Sequence, residues 1–387
     1  MSGIYLNPYR KSEPDWDILF SDIFTDLDIL RLHKSLPEYK PTPLVELPAL
    51  AKRLKLNKIL VKDESHRFGL KAFKALGATY AIYRFIKERK IRAGKKHISA
   101  DEFYTASDIL KPNEYTFCTA TDGNHGRGVA WTANKLSQKA VIYMPSNTVP
   151  ARAENIKKEN AEVVIVTGNY DDAVKMAFEE AVKNGWQIIS DTSWPGYTQI
   201  PLWIMAGYMT LFNEIATENI DIVLIPAGVG ALAGAAAWFY NKQFKNNVKL
   251  ISVEPDNADC MLESIKSPDG NPAISKGNQD SIMAGLNCGT VSPIAWPLVK
   301  AGFDLFMTVS DDICINAMQT YYKPEPDDPR IISGESGAAT MAGLLTIMTD
   351  NKYGNIRERI GLNQKSTVLL LNTEGDTDPE FFRKTVV

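Results

Sequence analysis

The chain has 387 residues, of which 44% are hydrophobic and 23% charged, with a formal net charge of −3. That length buries one large core or two moderate ones, and two lobes are the better expectation. The near-neutral charge is spread evenly, which excludes a basic footprint for nucleic acid or an anionic membrane, and no apolar run approaches the ~20 residues that a membrane-spanning helix needs.

The chain begins with a polar, proline-containing stretch to Asp17, unlike a signal or transit peptide. Lys58 to Lys62 reads as a strand and Lys74 to Lys90 as a long helix. Further strands are expected at Tyr115 to Thr119, Ala140 to Met144, Glu162 to Val166 and Gln187 to Ser190, then at Ile222 to Ile225, Lys249 to Val253 and Thr367 to Asn372. Helical stretches lie between them, for example Ala151 to Asn160 and Tyr170 to Asn184. Several strands are continuously apolar, as expected when both faces are buried. Strand–helix–strand order throughout predicts α/β architecture, with parallel-rich twisted sheets covered by helices. Three stretches break the rhythm: Ile91 to Lys111 reads as a polar surface insertion, Ser267 to Asp280 as a mobile loop, and Tyr321 to Arg330 as a rigid proline-rich turn.

The four cysteines (Cys118, Cys260, Cys288, Cys314) form no C-x-x-C pair, and the four histidines show no metal-ligand spacing. A cytoplasmic, metal-independent protein is the expectation.

Four constellations carry chemistry. The run Thr121-Asp122-Gly123-Asn124-His125-Gly126 follows a strand and opens a small-residue helix, so its backbone amides converge where an anion binds. Asp122 is out of place there unless it handles a proton or a cationic group. Lys74, at the start of a helix and flanked by Phe73 and Ala75, opposes the helix dipole. A desolvated lysine becomes a nucleophile toward carbonyls. Taken alone it reads equally as a surface lysine with a buried stem. Gly228-Val229-Gly230-Ala231-Leu232 follows strand Ile222 to Ile225, and its small residues suit a phosphate at the next helix N-terminus. It lacks the G-x-G-x-x-G spacing and the ribose-binding acid of a dinucleotide site, although close helix packing would also explain the glycines. Asn372-Thr373-Glu374-Gly375-Asp376 ends the last strand, where ligands of parallel sheets bind. Ser190-Asp191-Thr192-Ser193-Trp194 follows another strand, as a site wall or as a helix cap beside a core tryptophan.

These motifs, in this order, resemble the tryptophan-synthase-β-like (fold type II) pyridoxal-phosphate enzymes. So do Thr42-Pro43-Leu44, Gly77-Ala78, Met144-Pro145, Val253-Glu254-Pro255 and Ser336-Gly337-Ala338, and the match spans Thr42 to Asp376. Within that group, Arg67-Phe68-Gly69-Leu70, Thr121-Asp122-Gly123-Asn124, Asp191-Thr192, Ser333-Gly334-Glu335-Ser336-Gly337 and Thr373 to Asp378 resemble the diaminopropionate ammonia-lyases. Serine and threonine dehydratases typically carry a small neutral residue at the position of Asp122 and a glycine–glycine–asparagine run at Thr373 to Asp376.

The resemblance implies a two-lobed fold, with 1–85 and 216–387 as a larger cofactor-binding domain and 86–215 as a smaller mobile one. It implies pyridoxal 5'-phosphate held on Lys74 as a Schiff base beside Phe73. The phosphate falls to the amides of Gly228, Val229, Gly230, Ala231 and Leu232, the ring hydroxyl to Asn124 and the pyridine nitrogen to Thr373. Thr121, Gly123 and His125 bind the substrate carboxylate. Lys74 and Asp122 are the expected bases on opposite faces of the cofactor, so both D- and L-diaminopropionate are expected substrates, with Asp191 holding the β-ammonium or sharing the proton. The products are pyruvate and two ammonia, by way of an aminoacrylate. A homodimer is the family habit. Cys260 and Cys288 are expected near one another at the site entrance, and Lys71 is a competitor for the role of Lys74. Two other classes stay open: a dehydratase or β-replacement enzyme acting on serine, threonine or a modified diaminopropionate, and a non-catalytic cofactor or amino-acid sensor.

Overall fold

The strands of the computed structural model, which describes residues 3–11, 18–94, 98–105, 110–121, 123–146, 148–168, 170–244 and 247–387, are β1 (Ile4–Leu6), β2 (Leu44–Glu46), β3 (Lys58–Asp63), β4 (Thr116–Ala120), β5 (Lys139–Pro145), β6 (Glu162–Val166), β7 (Gln187–Ile188), β8 (Ile222–Pro226), β9 (Lys249–Pro255), β10 (Leu305–Val309) and β11 (Thr367–Asn372). They form a seven-stranded sheet in the order β1-β10-β9-β8-β11-β3-β2 and a four-stranded sheet in the order β6-β5-β4-β7. Every pairing is parallel except at the two edges of the large sheet, where β1 and β2 run antiparallel.

The chain divides into two compact units. One comprises residues 3–11 with Pro41–His66 and Leu211–Val387, and holds the large sheet. The other comprises Ile18–Lys40 and Arg67–Thr210, and holds the small sheet. The divisions expected at residues 85 and 215 fall, respectively, inside the helix Ala75–Arg92 and just past the helix Met209–Asn213.

In the first unit, β8 and β11 are buried at every position. Leu370 of β11 sits between Val61 of β3 and Leu224 of β8. The helix Glu335–Thr349 packs across β8, β9, β10 and β11 through Ala338, Met341, Ala342 and Leu345. Burial on both faces is why these strands read as continuous apolar runs. In the second unit, the helix Tyr170–Asn184 lays Ala173, Ala177 and Ala181, one residue per turn, against Cys118, Val141 and Tyr143 of the small sheet.

The structure departs from the sequence reading in several places. β7 has two residues rather than Gln187 to Ser190. The stretch from Ile98 is more than a surface insertion: Ile98, Ala100 and Phe103 are buried, and Phe103 meets Tyr83 edge to face at 5.0 Å. The segment Ser267 to Asp280 is pinned rather than loose. Trp296 Nε1 donates to the Gly270 carbonyl at 2.9 Å, Lys300 Nζ to the Asp269 carbonyl at 2.7 Å, and Ser275 Oγ to Asp259 Oδ1 at 2.7 Å. Within the proline-rich turn, Asp328 has a definite task, its carboxylate accepting the amides of Ala49 and Leu50 at the start of the helix Pro48–Leu54.

Candidate active site

In the second unit, Lys74 caps the helix Ala75–Arg92, with its backbone already helical at φ −56° and ψ −28°. A cation there opposes the helix dipole, and the structure supplies the counterweight. Lys74 Nζ donates to Asp191 Oδ2 at 2.5 Å, with the two side chains 18% and 11% exposed. Asp191 reaches this place because β7 ends at Ile188 and turns through Ser190. The Ser190 amide donates to the Tyr197 hydroxyl at 2.9 Å, and that hydroxyl donates to the Ile188 carbonyl at 2.9 Å. Burial alone would lift the Asp191 carboxyl. The Lys74 charge and hydrogen bond outweigh it and hold the group well below the usual carboxylate range.

Two polar atoms on residues within electrostatic reach of this pair are fully buried and have no hydrogen-bond partner among the described residues, His125 Nδ1 and the Tyr208 hydroxyl. His125, 5% exposed, bonds through Nε2 to the Ile189 carbonyl at 2.7 Å. Burial pushes its imidazole toward the neutral form against the pull of Asp191, and Lys74 acts in the same direction as burial. Tyr208 packs on Phe73 with ring centroids 4.8 Å apart, and burial keeps its phenol neutral. Tyr208 carries no signal in the sequence, where it is one more aromatic in the apolar stretch after Gln199.

The helix Asn124–Lys135 begins at the Thr121 turn. Thr121 Oγ1 accepts the Gly123 amide at 3.0 Å and the Gly126 amide at 3.1 Å, so those two donors are satisfied within the chain. The His125 amide belongs to the first turn, where the helix offers it no i−4 acceptor. Gly128 lets this helix abut the Lys74 helix, since a Cβ there would lie 3.0 Å from Ala75 Cα and 3.3 Å from the Lys74 carbonyl carbon. Asp122 lies outside the described residues. Lys71, at φ +59°, sits in the turn before the helix.

The first unit carries the glycine loop. β8 ends at Pro226, and the helix Ala231–Phe244 follows after four residues. Gly230 has φ +105°, and a Cβ on it would lie 2.8 Å from Met261 Cε, so only glycine fits. The Gly230 carbonyl accepts the Gly234 amide at 2.7 Å, which starts the helical ladder and leaves the preceding amides without an intrahelical partner. Cys260 and Cys288 do converge here: Cys260 Sγ lies 3.7 Å from the Gly228 carbonyl oxygen, and a Cβ on Gly228 would lie 3.0 Å from Cys288 Sγ. Both are free thiols. Behind them Glu254, fully buried, accepts the Met261 amide at 2.7 Å and the Leu262 amide at 2.9 Å, and burial pushes its carboxyl up to about 8.

Thr373, 3% exposed, directly follows β11. Its neighbour Glu374 joins two motifs far apart in sequence, the Gly334 amide donating to its carbonyl at 2.9 Å and the Ser336 amide to its carboxylate at 3.0 Å. Ser336 Oγ in turn accepts the Gly285 amide at 3.1 Å.

Both halves suit pyridoxal phosphate. An amine in a buried polar cluster can condense with an aldehyde, and a glycine cradle at the start of a 14-residue helix, which a Cβ would fill, can receive a phosphate.

The pattern of the family described as pyridoxal-phosphate dependent enzyme matches residues 36–374. A relative from Salmonella typhimurium named diaminopropionate ammonia-lyase is 40% identical over 93% of this chain and 91% of its own length. The crystal structure of diaminopropionate ammonia-lyase from Escherichia coli, in complex with an aminoacrylate–pyridoxal-phosphate azomethine reaction intermediate, superposes with a TM-score of 0.89 at 37% identity, covering 100% of this chain and 97% of that one. The same Escherichia coli enzyme in complex with D-serine superposes with a TM-score of 0.90 at 36% identity, with coverage of 100% and 97%.

Proposed function

The chain belongs to the pyridoxal-phosphate-dependent enzyme family, and we propose that it is the lyase that eliminates ammonia from 2,3-diaminopropionate, D and L alike, to give pyruvate and two ammonia. The observation that carries this reading is the Lys74–Asp191 pair at 2.5 Å, a buried carboxylate seated against an alkylammonium. A β-ammonium is the same chemical group. The similarity to enzymes named for this reaction, over nine-tenths of the chain, supports it.

When bound, pyridoxal phosphate supplies the electron sink that makes the α-proton of an amino acid acidic. Under this reading Lys74 holds the cofactor aldehyde, beside Phe73, and then takes the α-proton of one enantiomer. Gly228, Val229, Gly230, Ala231 and Leu232 bind the phosphate through their amides, Asn124 the ring hydroxyl and Thr373 the ring nitrogen. The turn of Thr121, Gly123 and His125 holds the substrate carboxylate. Asp122 takes the α-proton of the other enantiomer. Asp191 holds the β-nitrogen as ammonium, the form in which it leaves as neutral ammonia. The released enamine adds water and loses the second ammonia.

No helix among the described residues is long and apolar enough to cross a membrane. A cytoplasmic homodimer completes the reading: free thiols are at home in a reducing compartment, and light scattering measures the assembly. The decisive experiment counts ammonia per pyruvate from D- and L-diaminopropionate and from D- and L-serine. Two ammonia per pyruvate from both diaminopropionates, at rates well above serine, is the expected result. Preferential turnover of serine would make the protein a dehydratase, and no turnover of any of them would leave a sensor.

A further inference from the structure

We infer that His125 Nδ1 is a second acceptor for the substrate's β-ammonium, and that with Asp191 it makes the site select a cationic β-substituent over a hydroxyl. This rests on the reaction proposed above and goes beyond it by assigning the imidazole a role separate from its backbone amide.

The tautomer follows from geometry. The Ile189 carbonyl can only accept, so the His125 Nε2 atom 2.7 Å from it carries the hydrogen. In the neutral ring Nδ1 is then a bare lone pair. It is fully buried, and no described residue donates to it. An acceptor kept dry without a donor is costly in a finished core and is explained where a ligand brings the donor. The charged groups that bear on the ring are Lys74 and Asp191. In this structure the Lys74 ammonium occupies the Asp191 carboxylate at 2.5 Å, so the chain's own amine shows which cation that seat accepts.

An alkylammonium offers three N–H donors and a hydroxyl offers one. A carboxylate and an imidazole lone pair together satisfy two of the three. A serine hydroxyl satisfies one acceptor and leaves the other buried and unpaired. Neither acceptor is a strong base in its surroundings. Asp191 is held ionised by an ammonium, Lys74 in this structure and the β-ammonium in its place during the reaction, and burial favours the neutral form of His125. The β-nitrogen therefore stays protonated until its bond to carbon breaks, and it leaves as neutral ammonia with the bonding pair.

Two measurements test this. In the holoenzyme, 15N spectra of labelled histidine should show His125 protonated at Nε2 and bare at Nδ1, and titration with ammonium chloride should move the Nδ1 resonance. A proton on Nδ1, or a resonance that ignores ammonium, overturns the inference. Second, the kcat/KM of diaminopropionate is compared with that of serine in two variants. His125→Gln retains a donor for Ile189 and lacks the Nδ1 acceptor, and its preference should fall about ten- to a hundred-fold. His125→Asn places a carbonyl oxygen near the Nδ1 position and should keep more of the preference. Equal losses on both substrates, or the reverse order of the two variants, would overturn it. Failure of the wild-type enzyme to act on diaminopropionate would strike the proposed reaction instead.

Discussion

At the scale of single residues, the Lys74–Asp191 contact explains how a lysine is tolerated at a helix start: a carboxylate delivered from a distant turn offsets the dipole. Borohydride reduction of the yellow holoprotein should therefore fix the cofactor on the peptide carrying Lys74, and Lys74→Ala should abolish turnover and also lower the unfolding midpoint, because it leaves the Asp191 carboxylate buried without its countercharge. Recovery of the label on Lys71 would contradict the assignment. Asp122 is tested through stereochemistry. The α-protons of the two enantiomers leave from opposite faces, and loss of a positioned base costs about 10²–10⁴-fold in rate. Asp122→Asn should lose most D-isomer activity and keep much of the L-isomer activity, and equal losses would make the residue a binding group.

Glu254 gives a pH dependence. Its carboxyl titrates near 4.5 when unperturbed and is pushed up to about 8 by burial. Between those values the folded chain holds a proton that the unfolded chain has released, so this group's stabilising contribution falls as pH rises. It is complete below about 4.5 and gone above about 8. Glu254→Gln, which carries no such proton, should flatten the decline in urea midpoints across that window. A slope equal to wild type would show that the carboxyl is ionised in the folded state.

At the scale of elements, the helix of Lys74 and the helix of Asn124 are set by how closely their backbones approach at Gly128. Gly128→Ala would drive a Cβ to 3.0 Å from Ala75 Cα and 3.1 Å from Ala75 N, backbone atoms that cannot rotate away. The expected cost is about 1–3 kcal/mol, with a weaker hold on the cofactor measured by equilibrium dialysis. Unchanged stability and affinity would mean that the two helices separate freely. These two elements were legible because each begins at a polar motif and continues in small or apolar residues. The central strands β8, β9 and β11 were legible because they are buried on both faces. β1, β2 and β10 were not read. β1 and β2 are three-residue edge strands, too short to show a period, and the antiparallel pairing of β1 is decided by residues hundreds of positions away, such as Ile4 with Met307. Ser267 to Asp280 looked loose because its composition is that of a loop, while the donors that pin it, Trp296 and Lys300, lie outside it in sequence.

At the scale of the whole molecule, one buried ion pair gathers distant parts of the first unit. Lys62 Nζ of β3 donates to Glu214 Oε2 at 2.6 Å and to the Thr42 carbonyl at 2.8 Å, while the Thr42 amide donates to the same carboxylate oxygen at 3.1 Å. The Lys62 and Glu214 side chains are only 1% and 3% exposed. Glu214→Leu leaves the ammonium buried without its countercharge and should cost about 3–5 kcal/mol, whereas Lys62→Met with Glu214→Leu should recover most of that loss. Urea denaturation of the two singles and the double closes the cycle. Additive losses would show that the pair is uncoupled.

The sequence by itself determined the α/β class, the positions of the buried strands and the family, because those rest on local period and on ordered motifs that survive in one dimension. It also singled out Lys74 and Asp191 separately, one from a helix start and the other from a strand end. That the two touch, that Thr121 consumes the Gly123 amide, that Glu374 ties two distant motifs together, and that His125 is left with a bare nitrogen were decided only by tertiary structure. Each is a hydrogen-bonding fact, and a polar atom's partner is fixed by the packing of chain segments far apart in sequence. The residue type alone states what an atom can donate or accept, not whether the fold has already supplied its partner.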